Sequence, residues 1–167
     1  RYVINVYRKS AVAELDVTKD ADDDEIWSTI GGVRPTLNTP TVDANGNKTF
    51  TGSASVSTND ISQDPGTGKY TITGDLYTVV NALNERAGNI QIFDGTNYGP
   101  MLGGKTGEIQ IPLLNYTGGD TATVRVKVTA EDGMTTSEYI LNLTIRSGDI
   151  RVRQVTIADG AKSGLSG

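Results

Sequence analysis

Between Thr121 and Arg146 the chain alternates apolar and polar residues in two runs, separated by Asp132-Gly133. Val124, Val126 and Val128 are interleaved with Arg125 and Lys127, and Tyr139, Leu141, Leu143 and Ile145 recur at every second position. Period two sends successive side chains to opposite faces of a strand. Asp-Gly between two such runs predicts a hairpin, because both residues tolerate positive φ. One wet and one dry face is the property from which a β-sandwich is built. Shorter alternating runs at 49–56, 69–73, 90–93 and 108–111 predict further strands. Residues 75–88 break the rule: Leu76, Val79, Val80 and Leu83 stand at helical spacing. Asp75 is a suitable N-cap, Arg86 falls in the last turn and Gly88 lies just beyond. The pattern therefore predicts one short helix near residues 75–87, packed across an open end of the sandwich. Gly31 to Pro40, with its Gly, Pro and Asn, reads as a long loop.

The opening residues repeat the closing ones. Tyr2-Val3-Ile4-Asn5-Val6 parallels Tyr139-Ile140-Leu141-Asn142-Leu143, and each is followed by a basic residue and a serine. A second alternating run comes next: Val12, Leu15 and Val17 after the first, and Ile150, Val152, Val155 and Ile157 after the second. The two copies lie about one domain length apart, as in a tandem array. The expected organisation is a closing or donated strand over residues 1–10 at a joint between modules, and a β-sandwich domain over 11–146. The start of a following strand or module and a flexible tail would fill 147–167. On this reading the chain is a piece excised from a longer protein.

Composition narrows the function. Of 167 residues many are Thr, Gly, Asn and Asp, which suits short strands joined by polar turns rather than a helical bundle. The net charge of −5 argues against a nucleic-acid groove, which needs clustered Lys and Arg. Cysteine and histidine are absent. No disulfide or thiolate chemistry is available, and the commonest general base and zinc ligand are missing. No apolar run approaches the roughly 20 residues of a membrane span. Asp and Glu residues are spread over loops and strand faces, so no spacing selects a hydrolytic pair. The reading is therefore not an enzyme.

The stretch 128–146, with Ala130, Glu131, Asp132, Gly133, Thr135, Thr136, Tyr139, Leu141, Leu143 and Arg146, resembles the closing hairpin of the cadherin-like, immunoglobulin-like β-sandwich repeats of prokaryotic cell-surface proteins. Residues 2–17 resemble the junction where one such repeat closes and the next opens. The likeness is confined to the chain ends; the helical pattern and the Gly-rich 94–107 segment depart from it. It implies a mainly β, immunoglobulin-like or cadherin-like sandwich in an extracellular, non-catalytic, structural or adhesive role. Neighbouring modules, copies of itself or surface glycans would be its partners.

Several residues are candidates for more specific chemistry. Asp22 and Asp24 in the acidic run 20–25, and Asp43, Asn45 and Asn47 at alternate positions, offer oxygen ligands for Ca²⁺, the one cofactor the sequence brings to mind. The second group lacks the EF-hand frame, and the acidic run is more readily read as a solvated loop and Asn45-Gly46 as a hairpin turn. Trp27 with Tyr77, Tyr98 and Tyr116 would form a platform for sugar rings, although a lone Trp beside Ile26 and Ile30 is more naturally core. Residues 94–99 read first as a turn. Gly103 to Gly107 has the look of a phosphate loop, but a strand pattern follows where a helix is required. Asn47, Asn115 and Asn142 begin glycosylation triplets, Asn115 being the most accessible. Three functions follow. The first is a structural module. The second is a filament subunit that donates its first strand, inserting Tyr2, Ile4 and Val6 into a neighbour's sheet. The third is a carbohydrate-binding module.

Overall fold

The computed structural model describes residues 1–17, 27–80 and 85–147. It is mainly β, with ten strands among the described residues. These are β1 (Thr29–Ile30), β2 (Thr36–Leu37), β3 (Thr41–Val42), β4 (Lys48–Ser57), β5 (Ile61–Gln63), β6 (Tyr70–Tyr77), β7 (Asn89–Ile92), β8 (Lys105–Pro112), β9 (Thr121–Thr129) and β10 (Thr136–Arg146). One three-residue 3₁₀ turn, Thr58–Asp60, joins β4 to β5. Among the described residues no helix is long and apolar enough to cross a membrane.

The strands form two sheets. In the smaller, β6 carries β8 along one edge and β1 and β5 in succession along the other. In the larger the order is β4-β10-β9-β7, with β2 and β3 on the outer side of β4. β10 pairs antiparallel with β9, as the Asp-Gly hairpin requires, but parallel with β4 over its whole length, from Ser137↔Lys48 to Arg146↔Ser57.

Alternation decides which residues the two sheets enclose. Phe50, Ala54 and Val56 of β4, Val124, Val126 and Val128 of β9, and Tyr139, Leu141, Leu143 and Ile145 of β10 all point inward. They meet Ile30 of β1, Ile72 and Leu76 of β6, Ile90 of β7 and Ile111 of β8 in one cluster. Each such side chain, taken fully out of water, contributes about 1.5–3 kcal/mol. Phe50 and Tyr139 are register partners and stack with ring centroids 4.6 Å apart.

The expected helix is not found. Asp75, its supposed N-cap, pairs with Thr29 on one side and Glu108 on the other, and β6 runs on to Tyr77. Thr78 still bridges to Leu15, Val79, Val80 and 85–88 are not helical, and residues 81–84 lie outside the described residues. The inward row of β6 is Ile72, Gly74 and Leu76. Gly74 has no side chain because there is no room for one: a Cβ there would lie 2.3 Å from Cδ1 of Ile111. That gap hides the period of two and leaves Leu76, Val79 and Val80 to mimic a helix face. The presumed loop at 31–40 contains β2 and leads into β3, strands of two residues too short to show a period. Trp27, expected in the core, is only half-buried and lies under the guanidinium of Arg34, 5.3 Å from its ring centre.

Candidate functional site

The alternating residues at the chain start form no strand within this sandwich. Tyr2, Ile4 and Val6 are 99%, 83% and 90% exposed, whereas their sequence counterparts Tyr139, Leu141 and Leu143 are each 1% exposed. The chain joins the fold at Ser10. Its N–H donates to Oε2 of Glu131 (3.1 Å), and its carbonyl accepts from the N–H of Asp132 (3.1 Å). Tyr7 donates its hydroxyl to the same Glu131 oxygen at 2.6 Å. These bonds, first Tyr7's and then Ser10's, hold the Glu131 carboxyl below its ordinary pKa. The grip belongs to the β9–β10 turn, which is itself firmly built. The Asp132 carboxylate accepts from the N–H groups of Met134 (2.8 Å) and Thr135 (2.9 Å), and from the Thr135 hydroxyl. Beyond Ser10 the chain dives inward: Ala13 and Leu15 are buried, and the Leu15 N–H donates to the Tyr139 hydroxyl at 2.8 Å. Burial pushes the Tyr139 phenol above the usual tyrosine range. Lys48 pairs with Glu14, and Arg86 with Asp16 at 2.9 Å. The Asp132-Gly133 turn is legible in the sequence; that Glu131 grips residues more than a hundred positions earlier is not.

The outer face of the larger sheet carries a second cluster. Glu138 of β10 accepts from the Tyr98 hydroxyl and from Arg125 of β9. Burial works against the Glu138 carboxylate, but these two donors outweigh it and leave its pKa lowered. The Arg125 guanidinium lies 4.6 Å from the centre of the Phe93 ring, and the Lys127 ammonium 4.3 Å from that of Tyr98. Beside the cluster opens a cleft of about 490 Å³ lined in part by Tyr70, Phe93, Leu113, Asn115, Tyr116 and Arg125. Its rings are largely committed to protein partners: Tyr70 meets Tyr116 edge-to-face at 4.8 Å, and Arg125 covers Phe93. Of Trp27, Tyr77, Tyr98 and Tyr116 only Tyr116 lines this cleft, and Tyr77 is buried, so the four rings do not form one platform.

Among the calcium candidates, Asp22 and Asp24 lie outside the described residues. Asp43, Asn45 and Asn47 make the β3–β4 turn. Oδ1 of Asp43 accepts from the N–H groups of Asn45 (2.8 Å) and Asn47 (2.9 Å), and Oδ2 from the Asn47 amide (3.0 Å). These bonds, led by those from Asn47, lower the Asp43 pKa. Oδ1 of Asn47 turns instead to the N–H and hydroxyl of Thr136, tying this turn to the start of β10. The Asp43 carboxylate and Asn47 Oδ1 thus take part in building this turn. Asn115 is exposed, in the left-handed region at φ 57°, and Asn142 faces outward on β10. The spacing Gly99-x₄-Gly104-Lys105-Thr106 is that of a phosphate loop, but Lys105 begins strand β8 and its ammonium lies 5.5 Å from the centre of the Tyr77 ring. Among the described residues no helix N-terminus faces this loop, which is what such a site requires.

No family model, curated protein or solved structure matches the chain.

Proposed function

We propose that the chain is a non-catalytic structural module of a cell-surface protein, one link in a head-to-tail series of β-sandwiches. One observation carries the reading. The chain reaches the sandwich at Ser10, beside the β9–β10 turn, and its last described strand, of 11 residues, ends at Arg146. At about 3.4 Å per residue these points stand roughly 35 Å apart along the strand direction. Tyr2–Val6, a few residues before the first of these points, parallels Tyr139–Leu143 of β10, which ends at the second. An apolar row at Tyr2, Ile4 and Val6 needs a core, and the core built from residues 13–145 already holds its own copy. A preceding sandwich, closed by residues 2–9 as this one is closed by β10, supplies that cover.

The strand order supports the same family of folds. β7, β9 and β10 stand in one sheet as the C, F and G strands do in an immunoglobulin sandwich, with β6 and β8 in the other sheet as B and E. The exposed row also supports a second reading, in which Tyr2–Lys9 adds to the sheet of a neighbouring subunit with Tyr2, Ile4 and Val6 in pockets, making a filament. Size-exclusion chromatography with small-angle scattering, on the chain with and without residues 1–9, separates the two. The module reading expects monomers of equal melting temperature. Filaments lost on deletion, or on replacing Ile4 with Asp, overturn it in favour of strand donation.

A further inference from the structure

Resting on the module reading, we infer that Glu131 and the adjoining Asp132 backbone form a docking clamp for the preceding sandwich, gripping the end of its last strand so that consecutive modules are joined without a flexible linker. In β10, Tyr139, Leu141 and Leu143 are buried, while Asn142 and Thr144 face solvent. Carried onto the first copy, Tyr2, Ile4 and Val6 point into the preceding core and Val3, Asn5 and Tyr7 point out. Tyr7 is thus an outward residue near the end of that strand, and its hydroxyl is the group that Glu131 takes. Ser10, three residues later, is fixed at both its N–H and its carbonyl. Only Arg8 and Lys9 separate the two contacts.

Those two residues match the clamp in charge. Lys9 acts electrostatically on Glu131 and Arg8 on Asp132, and Glu85 acts at longer range on the Tyr7 phenol. Ser10 then turns the chain into the new core, its hydroxyl accepting from the N–H of Val12 at 3.1 Å, with Ala13 and Leu15 buried directly after. A connection of a few residues, tied at both ends, leaves little torsional freedom. The bonded atoms lie on the β9–β10 turn, whose own hydrogen bonds from Thr135 and Met134 keep Glu131 in place.

The test uses the full chain and backbone amide relaxation. In the unaltered protein the heteronuclear NOE of Tyr7–Val12 should match that of the sandwich, while Tyr2–Ile4 is mobile. Glu131→Ala should drop Tyr7–Lys9 to the values of Tyr2–Ile4 and leave the melting temperature unchanged, while Ser10, still bonded through its carbonyl to the Asp132 N–H, loses only part of its order. Tyr7→Phe should loosen Tyr7 while Ser10 stays held. The clamp is refuted if Tyr7–Ser10 are already as mobile as Tyr2–Ile4, or if Glu131→Ala leaves Tyr7–Lys9 ordered. Failure of the module reading shows elsewhere, as filaments on the sizing column, so the two outcomes are told apart.

Discussion

Leu141 and Ile4 occupy equivalent places in the two copies of one strand sequence, and truncating each to alanine isolates what the copies do. Leu141 is 1% exposed, paired with Gly52 on one side and Val124 on the other. Packing there is tight: a Cβ built on Gly52 would come within 3.0 Å of Leu141 Cδ2. Long paired strands on both flanks resist collapse into the space left behind, so Leu141→Ala should cost about 3–4 kcal/mol, within the span of about 2.7–5.0 kcal/mol measured for such cavities. For a sandwich of this size that lowers the melting temperature by about 10 °C. Ile4 is 83% exposed, so Ile4→Ala should stay within about 0.5 kcal/mol. Urea unfolding followed by circular dichroism measures both, with an unchanged m-value confirming that the denatured state is the same. If Ile4→Ala costs more than about 1.5 kcal/mol, a loss of the buried-residue kind, the first strand belongs to this sandwich and the reasoning fails. A Leu141→Ala cost below about 1 kcal/mol would refute the packing instead.

Other expectations follow from the same contacts. Tyr139→Phe keeps the stack on Phe50 but strands the Leu15 N–H, and should cost about 1–3 kcal/mol in thermal or urea unfolding. Gly74→Ala places a methyl against Ile111 and should cost about 1–3 kcal/mol, with Ile111→Val in the same chain recovering most of it because the offending Cδ1 is gone. The grip on Tyr7 and Ser10 depends on an ionised Glu131 whose folded-state pKa is depressed. The tie is therefore complete above the ordinary carboxylate range and is lost as the pH falls through the lowered value, which amide relaxation of Tyr7 against pH will follow. Pulled between Ser10 and Ser147 in single-molecule force spectroscopy, the chain should release the segment around Leu15 first and β10 later. Tyr139→Phe should weaken the early event and Asn142→Pro the late one.

Much of the fold was legible wherever one face of a strand is wet. The rows of β9 and β10, the turn at Asp132-Gly133, and the strands near 49–56, 69–73, 90–93 and 108–111 all stand where period two put them. Legibility failed where a glycine occupies an inward position. Gly74 erases one beat of β6, and the residues after it then fit a helix by accident. Gly52 erases a beat of β4 too, but Phe50, Ala54 and Val56 on either side preserve the rhythm. The parallel pairing of β4 with β10 was hidden because nothing local specifies which strands meet across the chain. The site was less legible than the fold. The likeness of Tyr2–Val6 to Tyr139–Leu143 could be seen in the letters, but not the hold of Glu131 on Tyr7 and Ser10, which depends on where the β9–β10 turn sits in space. Trp27 was misjudged because a neighbouring Ile suggested burial, while its cover is the distant charge of Arg34.

In the module reading, the placement of β10 explains how such a link would carry tension. Force leaving at Ser147 acts along the axis of β10 itself. An edge strand loaded from one end can peel, breaking its bonds one after another. β10 is held along its length by β4 on one side and β9 on the other, so moving it along its axis strains both ladders together. Its parallel partner β4 passes that strain to β2 and β3, and the turn holding Asn47 to Thr136 fixes the two strands at their shared start. At the opposite end the load meets a lighter attachment: the bonds at Ser10, the Leu15 bridge to Thr78, and the ion pairs of Glu14 and Asp16. The inward row of Tyr2–Val6 changes that balance once a preceding sandwich encloses it, because the same tension then pulls on a central strand at both ends of every joint. On this reading the weakest point of such a series is the short stretch from Ser10 to the first buried alanine, Ala13, and the hydrogen bonds to the β9–β10 turn stand at its start.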